Sequence, residues 1–331
     1  MAQVAVIGAG SWGTALALHL CRNNHQVRLW GHEPDHIAQL CAHRENRAFL
    51  PGFPLPPTLQ PVATLEAALD QVQALLIVVP SQFFATTIEQ LAPLLAPGLG
   101  LAWATKGFDP ASGRLLHQIA RERAGQREFG VLSGPSFATE VARGLPTAVT
   151  VAASSRAYAQ SLAELVHGER FRAYLQDDLI GVQVGGAAKN VLAIATGIAD
   201  GLGFGANTRS ALITRGLAEM IRLGLALGAR RETFLGLAGL GDLVLTCTDN
   251  QSRNRRLGLA LAQGQSCEQA LAEIGQEVEG IVTAQAVHQL SLAHQVQMPI
   301  AAEVYAVLYE ARTPQEATQR LLERARTNEL D

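Results

Sequence analysis

One short run near the N-terminus constrains this chain more than anything else in it. Gly8-Ala9-Gly10-Ser11-Trp12-Gly13 follows directly on the apolar run Gln3–Ile7 and opens a stretch of helical spacing that reaches Cys21. A GxGxxG turn between a strand and a helix suits a dinucleotide. Gly8 permits the tight turn, Gly10 lets the backbone approach a pyrophosphate, and Gly13 lets the helix pack on the strand. Unpaired N–H groups at the start of that helix then meet the phosphate charge. A glycine-rich turn in any α/β protein can mimic the pattern, so its weight comes from the strand before it and the helix after it.

The first half of the chain repeats this alternation. Strands are expected at Gln26–Trp30, Ala74–Val79, Gly100–Ala104, Gly130–Leu132, Ala148–Ala152 and Phe171–Tyr174. Helical spacing separates them at Asp35–Cys41, Gln82–Leu91, Gly113–Arg123 and Arg156–Leu165. Ala74-Leu75-Leu76-Ile77-Val78-Val79 is unbroken apolar sequence, which suits a parallel strand covered on both faces. Phe49–Pro61 carries five prolines and reads as an irregular surface excursion.

From about Gly186 the strand signal fades. Lys189–Ala199, Arg209–Leu227, Arg253–Ala262, Glu268–Ile274, Thr283–Ala293, Ile300–Tyr309 and Pro314–Arg326 all carry helical spacing, with glycine-rich joints at Gly201–Gly205 and Gly236–Gly241. Thr313-Pro314 is a helix start signal, Thr as N-cap and Pro at the first helical position. The expected architecture is an α/β protein: an N-terminal Rossmann-type doubly wound sheet over residues 1–187, then an all-α C-terminal domain over 188–331.

Composition narrows the function. Of 331 residues, 48% are hydrophobic and 17% charged, enough for large cores, and the net charge of −3 argues against nucleic acid or an anionic membrane as the main partner. Cys21, Cys41, Cys247 and Cys267 form no CxxC pair and no metal-ligand spacing, so neither a metal nor a disulfide framework is expected. The first residues show no basic segment ahead of an apolar one, and no uninterrupted apolar stretch approaches the roughly 20 residues of a membrane span. These features read as a cytoplasmic protein without membrane insertion. The 26 basic residues are 24 Arg and only two Lys, Lys106 and Lys189. Arg keeps its proton, whereas a desolvated Lys exchanges one near neutral pH. Codon bias is the bland alternative.

The candidate site residues sit at strand ends and in the helical half. At the tip of the second strand, about 20 residues past the last glycine, where NAD-binding proteins place an acid on the ribose, stands His32, with Glu33 one place later. An imidazole there tolerates a 2′-phosphate, so NADP stands beside NAD; a solvated loop residue is the alternative. Lys106 ends the fourth strand and Ser133-Gly134-Pro135-Ser136 follows the fifth, both at the ligand-binding ends of an open sheet. Lys189 lies among small residues where a long helix is expected to begin, so burial and a helix N-terminus would both lower its pKa. Asp242, on a flexible joint, either orients Lys189, accepts from a substrate hydroxyl or caps a helix. Ser252, Arg253 and Asn254 open a helix with donors suited to phosphate, while Arg255 and Arg256 read as a solvated face.

With GAGSWGTALA, ATKG, SGPSFA, GAAKN, GLGDLVLTCT, SRNRR and EVEG in this order, the chain resembles the bacterial NAD(P)-dependent glycerol-3-phosphate dehydrogenases over essentially its full length. The resemblance implies reversible reduction of dihydroxyacetone phosphate to sn-glycerol 3-phosphate, a glycerophospholipid precursor, by a cytoplasmic homodimer using dissociable NADP or NAD. It places Ser11, Trp12, His32 and Ala138 on the cofactor. Lys106 falls between cofactor and substrate, and Gly134 and Ser136 on the substrate. Lys189 becomes proton donor and acceptor, and Asp242, Ser252, Arg253 and Asn254 surround the phosphorylated triose. Arg253 and Glu279 also reach the cofactor. The chain departs from the pattern at Glu277, where an apolar residue is expected. A related β-hydroxyacid or ketopantoate-type reductase and a non-catalytic dinucleotide sensor are the competing readings.

Overall fold

The computed structural model describes residues 1–324. Two compact units result. The first contains Met1–Thr105 and Leu116–Leu179; the second contains the loop Lys106–Leu115 and the chain from Ile180 onward.

The strands of the first unit are β1 (Gln3–Ile7), β2 (Gln26–Trp30), β3 (Glu45–Asn46), β4 (Leu50–Pro54), β5 (Leu59–Val62), β6 (Ala74–Ile77), β7 (Leu101–Trp103), β8 (Phe129–Ser133), β9 (Thr147–Ala153) and β10 (Phe171–Gln176). β3 and β4 pair as a hairpin, and the others form one sheet in the order β10-β9-β8-β7-β6-β1-β2-β5. β1 lies parallel between β2 and β6, with Ala5 opposite Arg28 on one side and Leu75 on the other. Chain order reverses between β1 and β6, the switch point at which open sheets of this kind bind nucleotides. β8 and β9 pair antiparallel, so the last two strands run against the rest. Val4, Val6, Ile7, Leu76 and Ile77 are buried, as the unbroken apolar runs require of strands covered on both faces. The helix Ser11–Arg22 buries every residue from Gly13 to Cys21. Arg22 donates to the carbonyls of Val141 (2.9 Å) and Ala142 at the end of the helix Ala138–Arg143, where carbonyls run short of partners within the helix.

The excursion Phe49–Pro61 is more ordered than its prolines suggest. β4 lies within it and β5 begins at Leu59, which is fully buried opposite Val27. β5 is the sheet edge, where Pro61 opposite Leu29 removes no needed donor. The helix expected from Gly113 starts at Leu116, because Gly113 adopts φ +69 in a turn closed on the Asp109 carbonyl at 2.8 Å.

At the centre of the second unit stands the 23-residue helix Leu179–Gly201, buried from Gly181 to Ala199. A helix covered on all sides has no amphipathic stripe to read. Residue 187, where the sequence reading divides the chain, lies inside it. Among the described residues it is the one helix long and apolar enough to cross a membrane, and 89% of its most apolar window is buried inside the structure. Around it lie the helices Ala206–Ala226, Asp242–Thr248, Arg253–Ala262, Cys267–Ile274, Glu279–Ala293, Pro299–Tyr309 and Pro314–Leu322. Arg253–Ala262 approaches it through paired glycines: a Cβ on Gly197 would stand 2.2 Å from the Arg255 carbonyl, and one on Gly258 2.2 Å from that of Ile194. Phe108 and Leu115 of the loop Lys106–Leu115 join this core. Thr313 caps the last helix in a reciprocal box with Glu316; Arg326, its expected end, lies outside the described residues.

Candidate active site

In the first unit the glycine turn divides its labour. Gly8 has φ +123, and a Cβ there would lie 2.5 Å from the Val78 carbonyl; one on Gly13 would lie 1.8 Å from that of Gly8. The fold's own packing demands both. A Cβ on Gly10 would meet nothing within 4 Å, so Gly10 keeps open a space that a close-approaching phosphate would use. This cradle fits a dinucleotide pyrophosphate. Ser11 turns its hydroxyl toward the hairpin, donating to the Phe49 carbonyl at 2.6 Å, and Trp12 packs half-buried against the core of this unit. His32 is exposed at the tip of β2, its Nε2 3.4 Å from Glu33 and its ring centroid 6.4 Å from that of half-exposed Phe83. Phe83 carried no sequence signal beyond its apolarity. After β8, Gly134 has φ +138, where a Cβ would press within 3.1 Å of Val149 Cα. Ser136 donates to the Gly134 carbonyl at 2.9 Å, and Ala138 is the first residue of a helix.

The second unit gathers both lysines of the chain onto one carboxylate. Asp242 is fully buried. It is the first residue of the helix Asp242–Thr248, reached through the π-helical turn Leu237–Gly241, rather than a residue on a flexible joint. Its Oδ2 accepts from Lys106 Nζ at 2.6 Å and its Oδ1 accepts from Lys189 Nζ. Lys189 also donates to Thr246 Oγ1 at 2.8 Å, and that hydroxyl donates to the Asp242 carbonyl at 2.6 Å. Thr246 stands one helical turn past Asp242 inside the motif GLGDLVLTCT, a spacing that places both on one face; sequence reasoning passed over it.

Lys189 sits in mid-helix, not at a helix start, so the N-terminus of its own helix does not act on it. Burial is the main cause that pushes its pKa down to about 7; Asp242 pulls it up, and the Lys106 ammonium pushes it further down. A buried amine with a near-neutral pKa, hydrogen-bonded to a carboxylate, both gives and takes a proton at physiological pH.

The helix start at Ser252 also differs in part from expectation. Ser252 accepts from the Arg255 N–H at 3.2 Å as N-cap, and Arg253 is half-buried, its pKa pushed down by burial and partly restored by the charge of Glu279. Asn254 donates to Asn190 Oδ1 at 2.9 Å and accepts from the Gly280 N–H at 2.8 Å, which leaves one amide hydrogen for a ligand. Arg255 is buried against Asp200 and Asn250 Oδ1 rather than solvated, while Arg256 is exposed. Arg255 anchors the loop that presents Ser252. Among the described residues no three His, Cys, Asp or Glu side chains converge as metal ligands.

A fingerprint turn at a sheet switch point and a buried lysine with a near-neutral pKa are parts that suit a nicotinamide-dependent dehydrogenase. Comparison with known proteins narrows that class. Residues 3–159 match the family model for the NAD-dependent glycerol-3-phosphate dehydrogenase N-terminus, and residues 178–319 match that for its C-terminus. The chain is 57% identical to a glycerol-3-phosphate dehydrogenase [NAD(P)+] of Thioalkalivibrio sulfidiphilus, with 97% of each chain covered. It is 53% identical to that of Aeromonas salmonicida, with 98% of each covered. The crystal structure of glycerol-3-phosphate dehydrogenase from Coxiella burnetii is similar with a TM-score of 0.95 at 50% identity, covering 98% of this chain and 99% of that one. The chain belongs to the NAD-dependent glycerol-3-phosphate dehydrogenase family.

Proposed function

We propose that this chain catalyses the reversible reduction of dihydroxyacetone phosphate to sn-glycerol 3-phosphate with NADH or NADPH as a dissociable cosubstrate. The observation that carries the reading is the buried Asp242 holding Lys106 and Lys189 together, with Lys189 near a neutral pKa. The sheet unit serves the dinucleotide through Gly8, Gly10, Ser11, Trp12, Gly13, His32 and Ala138, and Gly134 and Ser136 serve the substrate. In the helical unit Lys106, Arg253 and Glu279 serve the cofactor, and Lys106, Lys189, Asp242, Ser252, Arg253 and Asn254 serve the phosphorylated triose.

The nicotinamide, when bound, supplies the hydride that converts the substrate's carbonyl carbon to a carbinol carbon. Lys189 gives its Nζ proton to the oxygen that becomes the hydroxyl, and takes it back in the oxidation direction. Asp242 keeps the resulting amine oriented, and Thr246 holds Lys189 from a second direction. Two ammonium groups on one carboxylate leave a net positive charge, which stabilises a developing alkoxide. Ser252, the Arg253 fork and the free hydrogen on Asn254 suit a phosphate dianion. The product is a glycerophospholipid precursor, and we assign the chain to the cytoplasm as a homodimer. A ketopantoate-type reductase is not favoured by identities of 50–57% along nearly the whole chain.

The test is the absorbance of reduced nicotinamide with dihydroxyacetone phosphate in separate NADH and NADPH reactions. Substrate-dependent loss of signal is expected, and Lys189→Met should lower turnover by roughly 10²–10⁴-fold while dinucleotide binding persists. Near-normal turnover in that variant would overturn the role of Lys189, and no loss with either cofactor would overturn the activity.

A further inference from the structure

The dinucleotide turn is held by a residue outside it. Asn46, in β3 of the hairpin, is completely buried and uses both ends of its amide. Nδ2 donates to the Ala9 carbonyl and to Thr14 Oγ1, each at 2.8 Å. Oδ1 accepts from the Phe49 N–H and from His36 Nε2, each at 3.1 Å. Two donors and two acceptor sites are the full capacity of a carboxamide, so its orientation is fixed by four partners. Two of them, Ala9 and Thr14, lie within and just after the fingerprint.

The consequence follows from peptide geometry. A trans peptide carries its C=O and N–H on opposite sides of one plane, and this chain has no cis peptide among the described residues. Holding the Ala9 carbonyl toward Asn46 therefore aims the Gly10 N–H away from Asn46. The Gly10 carbonyl is itself held by the Thr14 N–H at 2.9 Å, so both faces of Gly10 are set. Ser11 adds a second tie between the turn and the hairpin through the Phe49 carbonyl at 2.6 Å. The Ala9 carbonyl also accepts from Thr14 Oγ1 at 3.5 Å, so Asn46 holds it both directly and through that hydroxyl.

We infer that Asn46 is a positioning residue for dinucleotide binding: it orients the Ala9–Gly10 peptide so that the turn receives the pyrophosphate, and the hairpin β3–β4 is the arm that carries it there. The inference rests on reading the sheet unit as the dinucleotide-binding part.

The experiment measures equilibrium binding of NADH and of ADP-ribose by fluorescence and calorimetry, together with unfolding temperature. Asn46→Ala should weaken both ligands by roughly 10- to 100-fold, the effect of taking a partner from several buried polar groups at once. KM for the nicotinamide should rise while KM for dihydroxyacetone phosphate stays near the wild-type value. His36→Ala, at a partly exposed position, removes only one of the amide's four partners; it should weaken NADH by a few-fold in a folded protein even where Asn46→Ala folds poorly. Asn46→Ser keeps one donor and should fall between the wild type and Asn46→Ala. If the folded variants bind NADH and ADP-ribose as tightly as the wild type and only their unfolding temperature drops, Asn46 is structural and the inference is wrong. If the unsubstituted chain binds neither ligand, the reading of the unit fails and takes this role with it.

Discussion

Because one carboxylate holds two lysines, removing either neighbour of Lys189 should move its titration in opposite directions. Reduction needs the ammonium form of Lys189, so the rate is full below its pKa and falls as pH rises through about 7. Asp242 raises that pKa and Lys106 lowers it. Unit charges about 4 Å apart at an effective dielectric near 20 interact by about 4 kcal/mol, some 3 pH units. The second ammonium, on the other oxygen of the same carboxylate, acts in the opposite sense. Lys106 is 17% exposed on its side chain, so water trims its share. Asp242→Asn should therefore shift the falling limb of the reduction profile down by at least about one unit, and Lys106→Met should shift it up by a similar amount. Initial rates of nicotinamide oxidation, collected from about pH 5 to 10, give kcat/KM profiles for the three proteins. General damage to the site would lower all rates without moving the limbs apart. Limbs that coincide, or that move the same way in both variants, would refute the reasoning.

Two further tests address the frame that carries this chemistry. Gly8→Ala should destabilise the fold by about 2 kcal/mol or more, because φ +123 and a 2.5 Å approach to the Val78 carbonyl leave no room. Gly10→Ala should keep the wild-type unfolding temperature and lose dinucleotide affinity instead; equal unfolding losses in both variants would contradict this division. His19 is buried, and burial pushes its pKa down to about 4. Its unfolded value is near 6.5, so its contribution is present above that pH and is lost as pH falls toward 4. Stability should drop by up to about 3 kcal/mol across that window, and a denaturant titration of His19→Gln should show a shallower pH slope than the wild type.

Much of this protein was legible before any coordinates. The strands β1 and β2 and the helix Arg253–Ala262 lie where periodicity placed them, because each is a short local pattern of exposed and buried positions. Gly8-Ala9-Gly10-Ser11-Trp12-Gly13 announced a dinucleotide turn because its requirements, tight curvature and close backbone approach, are met by glycine alone. The rarity of Lys pointed to Lys106 and Lys189, and both do meet at one carboxylate. Other features had no local signature. The helix Leu179–Gly201 is buried on every side and so shows no period at its start, which is why Lys189 was expected at a helix end and is found in its middle. Asn46 reads in sequence as one more polar residue before a proline-rich stretch, and Arg255 as one more surface charge. Only tertiary packing buries them, and burial turns an ordinary amide into the clamp on a turn and an ordinary guanidinium into the anchor of a loop. A sequence can specify which groups the chain owns and how each segment curls. Which groups lose their water, and which partners they then must find, is decided when distant segments close over them.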